Sequence, residues 1–240
     1  NNTIIRFEEL RDKTFLNPDQ LDICSKITSV KRIAKMIIID LENQNRIAVH
    51  LRMTGKLIYP AVDKDINKHT RAVFYMKNKK IMLFDDIRTF GKINLLKQSD
   101  DLRKIQNFGI DPFSLDFNSE FLINKTKKKT VPIKNLLLDQ TVIAGLGNIY
   151  VQEILFNTGI SPLRKSNEIS KTEWDNIVSS TKSILLKAIE CNGTTISDFR
   201  RVDDKKGEFQ NFLKVYGKKN CPVCSNELTL IKQAGRSTRY

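Results

Sequence analysis

Near residue 119 the hydrophobic pattern of this chain changes period, and that change limits the folds open to it. Over the first hundred residues apolar and β-branched side chains alternate with polar ones, in "TIIRFEEL", "KITSVKRIAKMIIIDLE", "RIAVHLRMTGKLI", "RAVFYMKN", "KIMLFDDI" and "GKINLLK". Alternation puts every second side chain on one face of a strand, so these segments predict an antiparallel sandwich or barrel-like sheet with turns at "ENQN" and "KNKK". Gly109, Pro112 and polar residues then break any period in "NFGIDPFSLDFNSE", where a domain boundary is expected. From residue 119 to about 200 the repeat is helical, in "SEFLINKT", "PIKNLLLDQ", "NIYVQEILFNTG" and "KTEWDNIVSSTKSILLKAIE", with Trp174 on an apolar face. The fold class expected is α+β, with a β-sandwich first and helices after it.

A chain of 240 residues with 40% hydrophobic content has material for two modest cores. Its longest uninterrupted apolar runs, such as "MIII", are far too short for a membrane-spanning helix, and the opening residues read as a strand, so no signal peptide is expected. A formal net charge of +14, with lysine-rich stretches at "NKTKKKT" and "YGKKN", points to a polyanionic partner, nucleic acid before membrane. An AT-rich genome would also enrich Lys, Ile and Asn. Cys24 and Cys191 sit singly and read as reduced thiols of a cytosolic protein. Cys221 and Cys224, in "CPVC", have metal-ligand spacing, but a zinc ribbon needs a second such pair, and the sixteen residues after Cys224 contain none.

In "DQTVIAGLGNIYVQEILF" a helix ends after Asp139, Gly145 and Gly147 bend the backbone, and Asn148 sits where the next helix begins. Exposed N–H groups at a helix start bind anions, and Asn is a favoured cap, so a DNA phosphate could dock here; a plain helical hairpin with an Asn cap would read the same. The stretch "AGLGNIYVQEILFNTGISP" closely resembles the helix-two-turn-helix of the formamidopyrimidine-DNA glycosylase family. The resemblance extends in the family's order through "HLRMTGKL", "DIRTFGK", "PIKNLLLDQ", "GTTISDF", "VYGKKNCPVC" and "GRSTRY".

This resemblance implies a β-sandwich catalytic domain (1–112), a helix-two-turn-helix domain with a lesion-capping loop (113–212) and a partial zinc finger (213–240), with double-stranded DNA in a positive cleft. It implies excision of oxidised purines, formamidopyrimidine and 8-oxoguanine, and cleavage of the abasic site by β,δ-elimination. It also implies an N-terminal proline nucleophile followed by an acidic catalyst ahead of Asn1, and a second cysteine pair directly after Tyr240. The 240 residues by themselves are therefore expected to lack the lyase nucleophile and to hold zinc weakly, with Cys221 and Cys224 as two of its four ligands. The protein is expected to act as a monomer in the cytoplasm, associated with the nucleoid.

Residue by residue, the resemblance makes Lys35 a phosphate contact and proton donor in β-elimination, and Arg236 a phosphate contact acting in the second elimination. Lys134 lines the lesion site. Met53, Arg88 and Phe90 fill the gap left by an everted base, Arg88 facing the orphaned partner base and Phe90 wedging the stack. By strand alternation alone Met53 would be core, on one face with Ile47, Val49 and Leu51. His50 and His69 become DNA-backbone contacts, as do Lys129, Asn148 and Tyr216. Glu153 helps hold the N-terminal catalytic segment; without the motif it reads as an exposed helix glutamate. Glu208 departs from a common aromatic residue, and Ile87 and Thr89 from proline and arginine, which bears on base preference. Two rival readings are a DNA-binding module without catalysis and an endonuclease VIII-like glycosylase for oxidised pyrimidines.

Overall fold

The computed structural model describes residues 2–16, 21–196 and 200–240. It divides into two compact units, one of residues 1–105 with 192–208 and one of residues 106–191 with 209–240. The last three residues of "GTTISDF" lie outside the described residues.

The first unit is two antiparallel sheets. One is built of β2 (Ile27–Ile33), β3 (Met36–Leu41), β4 (Asn45–His50) and β8 (Lys92–Lys97), in that order. The other runs β1 (Ile4–Glu9), β6 (Thr70–Met76), β7 (Ile81–Asp86), β5 (Gly55–Ala61). Alternate residues of each sheet meet in one core, with Ile39, Leu41, Ile47, Val49, Ile93 and Leu95 from the first and Leu57, Ala72, Phe74, Met82 and Phe84 from the second. β6 and β7 also bury their other faces, where Val73, Ile81, Leu83 and Ala61 form a smaller cluster. Burial on both faces is why "RAVFYM" and "IMLF" are near-continuous apolar runs.

The segment "KITSVKRIAKMIIIDLE" folds as a hairpin: Ala34 takes φ 52° between β2 and β3, lifting Lys35 into the turn. The turns anticipated at "ENQN" and "KNKK" likewise hold Gln44 and Lys79 at positive φ.

Residues 192–196 and 200–208, assigned on sequence to the helical domain, pack with the strands. The Tyr59 N–H donates to the Val202 carbonyl at 2.9 Å, and Lys56 pairs with Asp204 at 2.8 Å. β5 is an edge strand of its sheet and has unpaired backbone groups to offer, so the loop attaches there. The first unit closes with a short helix, α1 (Leu102–Ile105), seven residues before the boundary expected at 112.

The second unit holds α2 (Ser119–Thr126), α3 (Ile133–Leu138), α4 (Asn148–Asn157), α5 (Lys171–Glu190) and a hairpin of β9 (Leu230–Gln233) and β10 (Arg236–Arg239). Asn118 caps α2 by accepting from the Phe121 N–H, and Ser170 with Glu173 forms a capping box on α5. The helices enclose a core of Leu136, Leu137, Val151, Ile154, Trp174 and Ile177. Between α3 and α4, Gly145 takes φ 98°, a conformation that costs glycine nothing. Gln140 ties this loop together, donating to the carbonyls of Leu138 and Leu146 and accepting from the Gly145 N–H. No described helix is long and apolar enough to cross a membrane.

Candidate nucleic-acid interface

In the β unit the strand alternation ends one turn earlier than the sequence pattern suggests. β4 stops at His50, Arg52 follows with φ 55°, and Met53 is carried out of the core to 63% exposure. Thr54 turns inward beside it and is buried. The β7–β8 loop emerges at the same end of the sheet, because Gly55 of β5 pairs with Asp86 of β7. That loop leaves Arg88 exposed, with Phe90 at 52%, and the guanidinium lies 5.0 Å from the Phe90 ring centroid. Two large apolar side chains and a cation therefore stand in water on adjoining loops, where neither contributes to a core.

Asp86 links these loops, and nothing in the sequence had singled it out. Its side chain is 1% exposed and accepts from the Thr54 hydroxyl and, through its other oxygen, from the Gly91 N–H at 2.7 Å. The Arg88 N–H is shared between Thr54 Oγ1 at 3.0 Å and Asp86 Oδ1 at 3.2 Å. Gly91 has no room for a Cβ, which would fall 2.5 Å from Phe84 and 3.2 Å from the His50 carbonyl; a Cβ on Gly55 would fall 2.3 Å from the Leu51 carbonyl. His69 joins the same cluster through its backbone, its carbonyl accepting from the Asp86 N–H at 2.9 Å.

His50 and Lys35 lie together at the end of the other sheet. Met36 pairs with His50 across β3 and β4, and the Lys35 charge acts on the imidazole. Burial, followed by the charges of Arg52 and Lys35, pushes the His50 pKa down to about 4. The Arg52 N–H donates to Nδ1 at 3.1 Å. At neutral pH the ring is uncharged with its proton on Nε2, the form that donates one hydrogen bond to an anion. Lys35 is exposed in its turn.

In the helical unit the cap of α4 is Gly147, and Asn148 is the first helical residue. The asparagine side chain is free of capping duty and donates to the Ser237 carbonyl at 3.2 Å. Gln152, one turn on and buried, donates to the Asn148 and Ser237 carbonyls and accepts from the Arg239 N–H at 2.8 Å. Its spacing of four from Asn148 puts both on one helix face, which is the signal that could have found it. Ala234 and Gly235, both at positive φ, form the two-residue turn of the β9–β10 hairpin and leave Arg236 exposed directly after it.

Lys134 is wholly buried, with its ammonium donating to the Thr238 hydroxyl. Burial and then the nearby Arg236 charge push its pKa down to about 8. Lys129 lies 3.7 Å from Asp139, whose carboxyl the Thr141 donors and Lys129 hold below the usual range despite partial burial.

Glu153 is buried, not an exposed helix glutamate, and its carboxylate accepts from the N–H groups of Lys214, Val215 and Tyr216 at 2.8, 3.1 and 2.8 Å. Tyr216 is thereby fixed at the start of the cysteine-bearing segment. There the Cys221 sulfur accepts from the Val223 N–H at 3.4 Å, and N–H donation from Cys224 and Val223 draws its thiol below the ordinary range. Among the described residues no group of three or more His, Cys, Asp or Glu side chains is placed to hold a metal, so these two thiols stand as a pair.

Residues 2–93 match the model of the formamidopyrimidine-DNA glycosylase N-terminal domain, and residues 108–200 that of the formamidopyrimidine-DNA glycosylase H2TH domain. A formamidopyrimidine-DNA glycosylase of Wolbachia sp. subsp. Brugia malayi is 38% identical over 216 residues, 89% of this chain and 80% of that protein. The chain belongs to the formamidopyrimidine-DNA glycosylase family. One from Rickettsia africae is 39% identical over 220 residues, 90% of this chain and 80% of the relative. Among solved structures, the Lactococcus lactis Fpg in complex with DNA containing an abasic site superimposes with a TM-score of 0.91 at 30% identity, covering 100% of this chain and 90% of that one. The sandwich and the helix-two-turn-helix described above are thus the formamidopyrimidine-DNA glycosylase fold.

Proposed function

We propose that this protein is a base-excision repair glycosylase and abasic-site lyase that removes oxidised purines, formamidopyrimidine and 8-oxoguanine, from double-stranded DNA. The observation that carries this reading is the exposed set Met53, Arg88 and Phe90 on two cross-linked loops. A base can be reached only when it leaves the stack, at a cost of a few kcal/mol, and an apolar wedge with a cation beside it offsets that loss. Met53 enters the vacated space, Phe90 wedges the neighbouring step and Arg88 donates to the orphaned base.

An amine attacks the sugar C1′, the C1′–N bond breaks, and the base leaves with a proton. The resulting imine acidifies the C2′ proton, whose loss expels the 3′-phosphate; a second elimination expels the 5′-phosphate. Lys35 supplies a cation and a proton near the first elimination, and Arg236 binds phosphate for the second. His50 and His69 on the β unit, and Lys129, Asn148 and Tyr216 on the helical unit, hold the DNA backbone. Lys134 contributes to the lesion site through Thr238 and Arg236, while Glu153 fixes the 214–216 backbone.

Cys221 and Cys224 suit two corners of a tetrahedral zinc site, since N–H donation to sulfur favours the thiolate that zinc requires. Zinc there would be structural, steadying the segment that leads to the Arg236 hairpin. On this reading the protein works as a monomer in the cytoplasm, where bacterial DNA is found.

The test is excision and strand cleavage by the full-length protein on a duplex carrying one 8-oxoguanine opposite cytosine, with borohydride trapping of the imine. Met53→Ala and Phe90→Ala should each lower kcat/KM about ten- to hundredfold, the rate equivalent of part of the extrusion cost. Full activity in both variants would remove the observation on which the reading stands.

A further inference from the structure

We propose that Asp86, acting through Thr54, is a positioning residue for base extrusion, holding the Met53 loop and the Arg88 loop as one unit. The inference rests on the functional reading above and assigns a role to residues that touch no DNA in it. Met53, Arg88 and Phe90 are exposed, so core packing does not set their places. What sets them is the buried carboxylate between the loops. One Asp86 oxygen takes the Thr54 hydroxyl and shares the Arg88 N–H, and the other takes the Gly91 N–H.

Thr54 is the neighbour of Met53, and Gly91 the neighbour of Phe90. Each interaction therefore reaches within one residue of a gap-filling side chain. The Thr54 hydroxyl does double duty, donating to Asp86 and accepting from the Arg88 N–H at 3.0 Å, so it bridges the loops directly. Filling the space of an extruded base requires Met53 and Arg88 to arrive together, one from each loop. A displacement of about 1 Å in a reacting assembly costs on the order of a hundredfold in rate. Loss of the Thr54 hydroxyl and its two bonds, with the backbone otherwise paired through Gly55 and Asp86, should cost about tenfold.

The discriminating experiment uses Thr54→Val, which keeps the buried shape and removes the hydroxyl, in full-length protein. Excision kinetics on the 8-oxoguanine duplex are measured for wild type, T54V, T54S, the M53A/R88A double variant and the T54V/M53A/R88A triple variant. If Thr54 works through the gap-filling residues, T54V lowers kcat about tenfold with little change in KM, T54S restores it, and T54V changes the double variant by no more than about twofold. An equal loss in both backgrounds, or no loss in either, overturns the positioning role.

Should T54V fail to fold, Asp86→Asn replaces it, judged by the same non-additivity, because an amide cannot accept from both the Gly91 N–H and the loop donors. A wild-type protein without excision would sink the functional reading itself, and an M53A/R88A variant with full activity would sink the assignment of those side chains. In both cases the positioning role falls with them, but the failing arm is different.

Discussion

Replacing Lys134 by methionine should stabilise the helical unit at neutral pH, and by less as the pH rises. The Lys134 side chain is 0% exposed and its ammonium donates to the Thr238 hydroxyl. Burial, with a smaller contribution from Arg236, takes its pKa from 10.5 to about 8. That gap of about 2.5 pH units, at about 1.4 kcal/mol each, means the charged folded form is disfavoured by on the order of 3 kcal/mol. Methionine keeps the apolar stem and forfeits one hydrogen bond, about 1 kcal/mol, for a net gain of about 2 kcal/mol at pH 7.

The sign with pH follows from proton counting. The folded state holds this proton less tightly, so between about pH 8 and 10.5 the unfolded chain binds more protons and wild-type stability rises with pH. The penalty is full below pH 8 and fades above it, so the advantage of K134M shrinks through that window. Trp174 is the single tryptophan, 1% exposed in the core of the same unit. Urea unfolding followed by its fluorescence at pH 7 and pH 9.5 therefore reads the difference where it arises. A K134M advantage that is flat with pH, or a variant less stable than wild type at pH 7, would refute the assignment of a strained buried ammonium.

Glu153→Gln should cost about 2 kcal/mol in the same unfolding assay, because the amide NH2 turns toward backbone N–H groups that now donate to both carboxylate oxygens; a change below about 0.5 kcal/mol would contradict it. For His50, an NMR titration of the free protein should place the ring pKa near 4, and a value at or above the ordinary 6.5 would dismiss the neutral-donor description. The folded pKa lies below the unfolded one, so this residue lowers stability as pH falls through 6.5 toward 4.

Much of the fold was legible in the residues. Alternation located the strands of both sheets, the helical repeat located α2 to α5, and the motif "AGLGNIYVQEILF" carried the family. Alternation misreads Met53 because it reports a face only while the strand lasts, and β4 ends at His50. Without the motif Glu153 reads as a solvated helix glutamate, and it is buried because Lys214–Tyr216 bring their N–H groups to it. Gln152 had only its spacing of four from Asn148 to mark it, and Asp86 had no local pattern of its own, since its bond to Thr54 crosses from one loop to another.

The sequence by itself determined where most strands, the longer helices and several turns lie and which family the chain joins, because periodicity and turn chemistry act over a few residues. Tertiary structure decided which polar groups are buried and what they hold. Thr54 meets Asp86 across 32 positions and Lys134 meets Thr238 across 104, distances over which no local pattern carries information. The physical reason is that a buried charge is tolerated only where donors or acceptors converge on it, and convergence is a property of the folded chain.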